Sequence, residues 1–171
     1  DMLSLDLVDK GVVTNQIVLT VGYDKESLAD GHYTGEVVCD HYGRKIPKHA
    51  HGTQNLGRHT SSTRKIIDAT MALFDRIIDK TLLARRLNLT ACNVIREEDI
   101  PEIESYEQIS LFDMAEAANA DNNAEEKERA LQEAMLLIKH KYGKNAILKG
   151  TNYTEGATAR ERNRSIGGHK A

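Results

Sequence analysis

Cysteine is scarce: the chain holds two, Cys39 and Cys92, and neither sits in a CxxC spacing. Both therefore read as small buried hydrophobes rather than a disulfide or zinc framework, with a disulfide between them the less favoured alternative. No apolar run approaches the roughly 18 residues that a membrane-spanning helix needs, and no signal peptide opens the chain. The expectation is a soluble, cytoplasmic protein with no membrane partner. Common catalytic signatures are missing as well: there is no nucleophile elbow, no phosphate-cradling glycine loop ahead of a helix and no paired catalytic carboxylates. What is present is 171 residues with 40% hydrophobic content, enough for one ordinary domain plus a tail.

The net charge of −3 conceals a strong segmentation. Residues 1–40 carry two Lys against eight acids, whereas residues 41–96 carry eleven Lys/Arg against three Asp. Residues 97–134 reverse this with two bases against thirteen acids, and residues 135–171 return to eight bases against two Glu. A basic middle followed by an acidic stretch points to a polyanion-binding body with a linker that does not share its ligand.

Asp1 to Lys10 alternates acids with Met2, Leu3, Leu5, Leu7 and Val8, and Gly11 follows where a helix-ending glycine belongs. It reads as the last turns of a helix. Position 1 is aspartate, which fits a piece of something longer. Gln16 to Val21 alternates as a half-buried strand, with Ile17, Leu19 and Val21 on one face and Gln16, Val18 and Thr20 on the other. Gly35 to Asp40 reads as the second strand, and Tyr42 to Pro47 as its irregular continuation, because Pro47 cannot hold a central ladder position. Ser61, Ser62 or Thr63 caps a helix with a buried stripe of Ile66, Ile67, Thr70, Leu73, Phe74, Ile77 and Ile78. Leu83 to Ile95 alternates again, with Leu87, Leu89, Ala91 and Ile95 packing and Arg86, Asn88, Thr90 and Cys92 opposite. The expected fold is α+β, a mostly antiparallel sheet with helices on one face, whose open face offers Thr20, Arg86, Asn88 and Thr90 to a ligand. After the acidic linker, Asn122 or Asn123 caps a further helix with a stripe of Leu131, Ala134, Met135, Ile138 and Tyr142, ended by Gly143.

Lys48, His49, His51, Thr53, Asn55, Arg58, His59 and Thr60 form a nearly apolar-free run with Gly52 and Gly57, placed between a strand and a helix. Small and hydroxylated residues let backbone N–H groups approach phosphate oxygens, while Lys and Arg neutralise them. Arg85 and Arg86 open the last strand and are expected beside this run. With about six phosphates engaged, log affinity should fall with log salt at a slope near −5. No groove-entering helix carries base-reading side chains, so binding should be largely independent of sequence. His41, His49, His51 and His59 raise a histidine metal site as the enzymatic alternative. No third ligand of recognisable spacing accompanies His49 and His51, so no metal is expected.

Gln108-Ile109-Ser110-Leu111-Phe112-Asp113 sets two large apolar side chains in the most acidic part of the chain. Glu97, Glu98, Asp99, Glu102, Glu104 and Glu107 precede it and an Ala/Asn/Asp run follows, so neither flank can bury Leu111 and Phe112 locally. With Gln108 as a polar hook, the stretch reads as a docking peptide. Its form resembles the Gln-x-x-Leu-Phe peptide by which bacterial DNA polymerases and repair proteins dock on the sliding β-clamp, and Gln108, Ser110, Leu111 and Phe112 are the candidate contacts.

Val12-Val13-Thr14-Asn15-Gln16-Ile17-Val18-Leu19, the run Lys48 to Thr60, Arg85-Arg86-Leu87 and the tail Asn163 to Ala171 together resemble the C-terminal part of a Y-family translesion DNA polymerase. The branch is the UmuC-like, ImpB/MucB/SamB type of Gram-positive bacteria. The resemblance implies a little-finger domain over 1–96, a four-stranded sheet backed by two helices that lies against DNA and here lacks its first strand. It implies that Lys48 to Thr60 is the phosphate-contacting strand and loop and that Arg85 and Arg86 are the basic pair of the last strand. An acidic linker over 97–123 would carry the clamp motif, and 124–171 a C-terminal helix and basic tail. The implied partners are primer-template duplex and the sliding β-clamp, in DNA repair and the SOS response. The palm and its catalytic carboxylates do not lie in this sequence, so no catalysis is expected of the chain itself, and magnesium belongs to the parent's palm. A missing strand would leave an exposed sheet edge open to self-association. A stand-alone clamp-binding regulator and a histidine-metal hydrolase are the competing readings.

Overall fold

The computed structural model describes residues 1–29, 31–100, 114–166 and 169–170. They fall in two compact units, Asp1–Ser110 and Leu111–Ala171. In the first unit, helix α1 (Met2–Asp9) ends at Gly11, whose φ of 62° is the left-handed conformation that stops a helix. Strand β1 (Val12–Tyr23) follows at once, built on the β-branched residues Val12, Val13, Thr14, Ile17, Val18, Thr20 and Val21. A short hairpin of β2 (Val37–Cys39) and β3 (Lys45–Pro47) precedes the long strand β4 (Ala50–Thr60). Helix α2 (Thr63–Ile77), strand β5 (Ala84–Cys92) and the short β6 (Ile95–Arg96) complete the unit.

The main sheet is antiparallel in the order β4-β1-β5, with β6 pairing the start of β1. Both helices cover the same face. Leu19, Val21, Tyr23 and Leu73 form one buried cluster, and Leu7, Ile17 and Ile66 form a second. The fold is therefore α+β with helices on one side, as the alternation of β1 and the stripe of α2 predict. Ser62 caps α2 by accepting a hydrogen bond from the Lys65 N–H at 3.2 Å. At the other end of α2 the Tyr23 hydroxyl accepts from the Asp79 N–H at 2.9 Å. Among the described residues no helix is long and apolar enough to cross a membrane.

Three expectations need correction. Gly35–Asp40 does hold a strand, Val37–Cys39, but not one of the main sheet: it pairs with Lys45–Pro47 in a separate hairpin, and Ala50–Thr60 takes the place beside β1. The resemblance implies a strand and loop over Lys48 to Thr60, but the residue pattern hides the strand, because its covered positions are Gly52, Gln54 and Leu56. Cys39 is exposed on the two-stranded hairpin, while Cys92 is half-buried. Leu87 lies opposite buried Val21 and so on the helix side, yet it is 57% exposed on the outer strand.

The hairpin tip is held by one carboxylate. Asp40 Oδ1 accepts from the N–H groups of Tyr42 and Arg44, both at 2.9 Å, and Oδ2 accepts from the Arg44 side chain at 2.6 and 2.7 Å. Arg44, through its side chain and then its N–H, holds the Asp40 carboxyl below the usual carboxylate range, against the effect of burial. A depressed folded value means that this ordering is complete above the ordinary value of about 4 and is lost as pH falls through the folded value. Amide resonances of Tyr42 and Arg44 should therefore collapse toward random-coil positions on acidification below about pH 4, before those of β1 move. Asp40→Asn should show the loosened tip at neutral pH, and a tip unchanged in both experiments would refute this account.

In the second unit, α3 (Met114–Tyr142) ends at Gly143, whose φ is 94°. The helix begins at Met114 and not at an Asn122 or Asn123 cap, in keeping with the helix preference of Ala115, Glu116, Ala117, Ala118 and Ala120. Of the expected stripe, Met135 and Ile138 are half-buried, whereas Leu131 and Tyr142 are exposed. Lys139 Nζ donates to the carbonyls of Lys144 and Ile147 at 2.8 and 2.9 Å, closing the turn after the helix, and burial lowers its pKa. The rest is a short 3₁₀ turn, helix α4 (Ala159–Arg162) and a two-residue ladder of β7 (Ser165–Ile166) with β8 (His169–Lys170). Asn163 Nδ2 donates to Asn145 Oδ1 at 2.8 Å, tying the segment before β7 to the loop after α3.

Candidate nucleic-acid interface

The face of the sheet away from α1 and α2 is made of cross-strand rows. Thr20 lies between His51 and Asn88, Val18 between Thr53 and Thr90, and Gln16 between Asn55 and Cys92. Gly22 lies opposite Arg86. Paired residues on neighbouring strands point to the same side, and the Thr20 hydroxyl and His51 Nδ1 sit 3.0 Å apart across the first row. His49 is close by, its ring 6.4 Å from that of His51 at 87°. None of these rows contains a carboxylate. The surface thus offers hydroxyls, amides, imidazoles and one guanidinium, a set that can donate to phosphate oxygens without repelling them.

The two arginines are set apart by an irregularity in the ladder. Gly22 pairs with Arg86 but Tyr23 pairs with Ala84, so Arg85 is an extra residue in β5. The extra residue brings Ala84 to the side of buried Tyr23, while Arg86 keeps the regular alternation with Asn88 and Thr90 and so stands on the open face. Arg86 Nε donates to Asn88 Oδ1 at 3.2 Å, the next residue of that face. Arg85 is committed elsewhere, donating to Asp24 Oδ2 at 3.2 Å. The Asp24 carboxyl is held below the usual range, first by the Glu26 N–H and then by Arg85, against desolvation.

Several candidate residues stand otherwise than the sequence suggests. Arg85 and Arg86 do not lie beside the Lys48–Thr60 run, because the whole width of β1 separates β5 from β4. Lys48 is ion-paired with Glu36 at 2.6 Å, which raises its pKa and offsets its charge. Thr60 is buried and its hydroxyl accepts from the Ser62 N–H at 3.0 Å, so it belongs to the entry of α2 and not to a binding surface. His51, Thr53 and Asn55 share the open face, while Arg58 is exposed in a stretch where the β1–β4 register breaks between Asn55 and Thr60. Arg76 donates to the Thr53 carbonyl and Gln54 Oε1 at 3.0 and 3.1 Å, covering part of the β4 edge. Asp24 went unrecognised in the sequence, since no local pattern announces a partner 61 positions away. Gln108, Ser110, Leu111 and Phe112 lie outside the described residues. Among the described residues no three His, Cys, Asp or Glu side chains gather as a metal-binding group.

Fold and site together define an α+β module with helices on one face and, among the described residues, polar cross-strand rows without a carboxylate on the other. Among curated proteins the chain is similar to the "Putative UV-damage repair protein UvrX" of Bacillus subtilis (strain 168), with 31% identity over 160 residues. The alignment takes in 93% of this chain and 30% of that protein, so the chain spans under a third of the relative's length. No family model matches the chain, and no solved structure does.

Proposed function

We propose that this chain is the DNA-gripping and clamp-docking region of a DNA-repair protein, in the manner of the C-terminal part of a Y-family translesion polymerase. The observation that carries the reading is the acid-free row structure His51–Thr20–Asn88 and Thr53–Val18–Thr90, with Arg86 at its end, on a sheet whose other face is closed by helices. Similarity to a protein named for UV-damage repair supports the same direction. On this reading duplex DNA lies across the sheet and is held through its phosphates, Gln108, Ser110, Leu111 and Phe112 tether the chain to the sliding clamp, and nucleotidyl transfer belongs to a palm elsewhere. The outer strand β5, with Leu87 exposed, is the edge through which two copies would pair.

Salt titration of duplex binding tests the grip. Arg86→Ala should flatten the dependence of log affinity on log salt by about 1, equally for unrelated sequences. Arg85→Ala should flatten it less, because Asp24 already offsets that charge. Affinity that ignores both salt and Arg86 would remove the sheet face from consideration.

A further inference from the structure

The tip of the β2–β3 hairpin is used by nothing above. Tyr42 is 78% exposed there, more than any other large hydrophobic side chain among the described residues. Exposure of one aromatic is ordinary; the restraint on this ring is not. The Arg44 guanidinium lies 5.0 Å from its centroid, and Asp40 Oδ2 pins that guanidinium at 2.6 and 2.7 Å. The His41 ring lies 5.4 Å from it at 75°, a T-shaped arrangement. Asp40 also fixes the backbone on both sides of Gly43, which turns with φ 74°. The ring thus has the Arg44 guanidinium over it and the His41 ring against it, with most of its surface in solvent.

We propose that Tyr42 is a stacking platform for an unpaired nucleobase. The inference rests on the reading of the sheet as a DNA-binding surface and adds to it a contact with single-stranded nucleic acid. A tyrosine already fixed in place loses little freedom when a base stacks on it, and every base has a π face, so the contact tolerates any sequence. Lys45 is exposed next to Arg44 and has no ion pair among the described residues, leaving it for the adjoining phosphate. The location agrees: the hairpin leads into β4 at Ala50, opposite Val21, one residue from the Gly22–Arg86 pair. At the tip, the Asp24 carboxylate that pairs with Arg85 also acts on Arg44, which sets the tip toward the Arg85–Arg86 end of the sheet. A plug for a protein pocket would carry apolar neighbours, whereas the neighbours of Tyr42 are His41, Arg44, Lys45 and Asp40.

The test uses the full chain with blunt duplex, the same duplex with a short single-stranded overhang, and the overhang strand alone, with 2-aminopurine in the single-stranded part. The chain should prefer the overhang duplex to the blunt one by about tenfold, the scale of one stacked base, and should quench the probe. Tyr42→Ala should abolish preference and quenching while leaving blunt-duplex affinity unchanged, and Tyr42→Phe should keep both. An overhang preference that survives Tyr42→Ala overturns the proposal, as does the absence of any preference in the parent chain. Loss of a protein contact with no change on the overhang overturns it in favour of a protein-binding tip. Absent blunt-duplex binding refutes the sheet-face reading by itself, and the free strand then reports on Tyr42 independently.

Discussion

Leu73→Ala is expected to cost about 2–5 kcal/mol of stability, seen as a lower urea midpoint at an unchanged slope. Leu73 is fully buried against Leu19, Val21 and Tyr23, at the centre of the contact between α2 and the sheet. The site has little room to collapse, because the helix is anchored at its start by the Ser62 cap and near its end by Arg76 on the Thr53 carbonyl. Opposite Leu73 the sheet presents Gly52, where a Cβ would stand 2.8 Å from Leu73 Cδ1 and 2.9 Å from Ile77 Cγ2. Gly52→Ala alone should therefore overpack the same contact, at about 1–3 kcal/mol. In the double variant the new methyl enters the space Leu73 vacated, so the combined loss should fall short of the two single losses added together. Strict additivity would mean that β4 and α2 do not meet at these residues.

The second large effect concerns clamp retention. Leu111→Ala with Phe112→Ala removes two apolar side chains whose burial in a partner pocket would contribute about 3–6 kcal/mol before ordering costs. Under the proposed function this abolishes retention on a β-clamp column and leaves duplex binding intact. Arg85→Ala with Arg86→Ala weakens duplex binding and leaves clamp retention intact. Were each pair to damage both activities, grip and tether would not be separate. Retention unaffected by the Leu111 and Phe112 changes would dispose of the docking peptide altogether.

Much of this was legible in local patterns. The two-residue alternation of Ile17, Leu19 and Val21 identified the central strand and its buried face, and the Ile66-to-Ile77 spacing identified α2 and the side that packs. Gly11 and Gly143 marked helix ends because only a residue without Cβ adopts their backbone angles cheaply. The strand Ala50–Thr60 was obscured because an edge strand with one solvated face carries little apolar alternation, and a glycine stood where a hydrophobic residue would have signalled the core. The start of α3 was missed because Ala-rich sequence with Asn and Asp suits a helix and a linker equally well until packing decides.

The sequence alone determined which segments alternate, where helices stop, and that basic and acidic stretches are segregated. These are properties of neighbouring residues, set by backbone sterics and the burial of one face. Only the tertiary structure decided which charges are available. Pairing Lys48 with Glu36 and Arg85 with Asp24 needs chain segments brought together across 12 and 61 positions. The row running His51–Thr20–Asn88, one step from Arg86, likewise exists only across three strands. Charge offset and facial placement depend on distances through space, and those exist only once strands that are remote in sequence lie side by side.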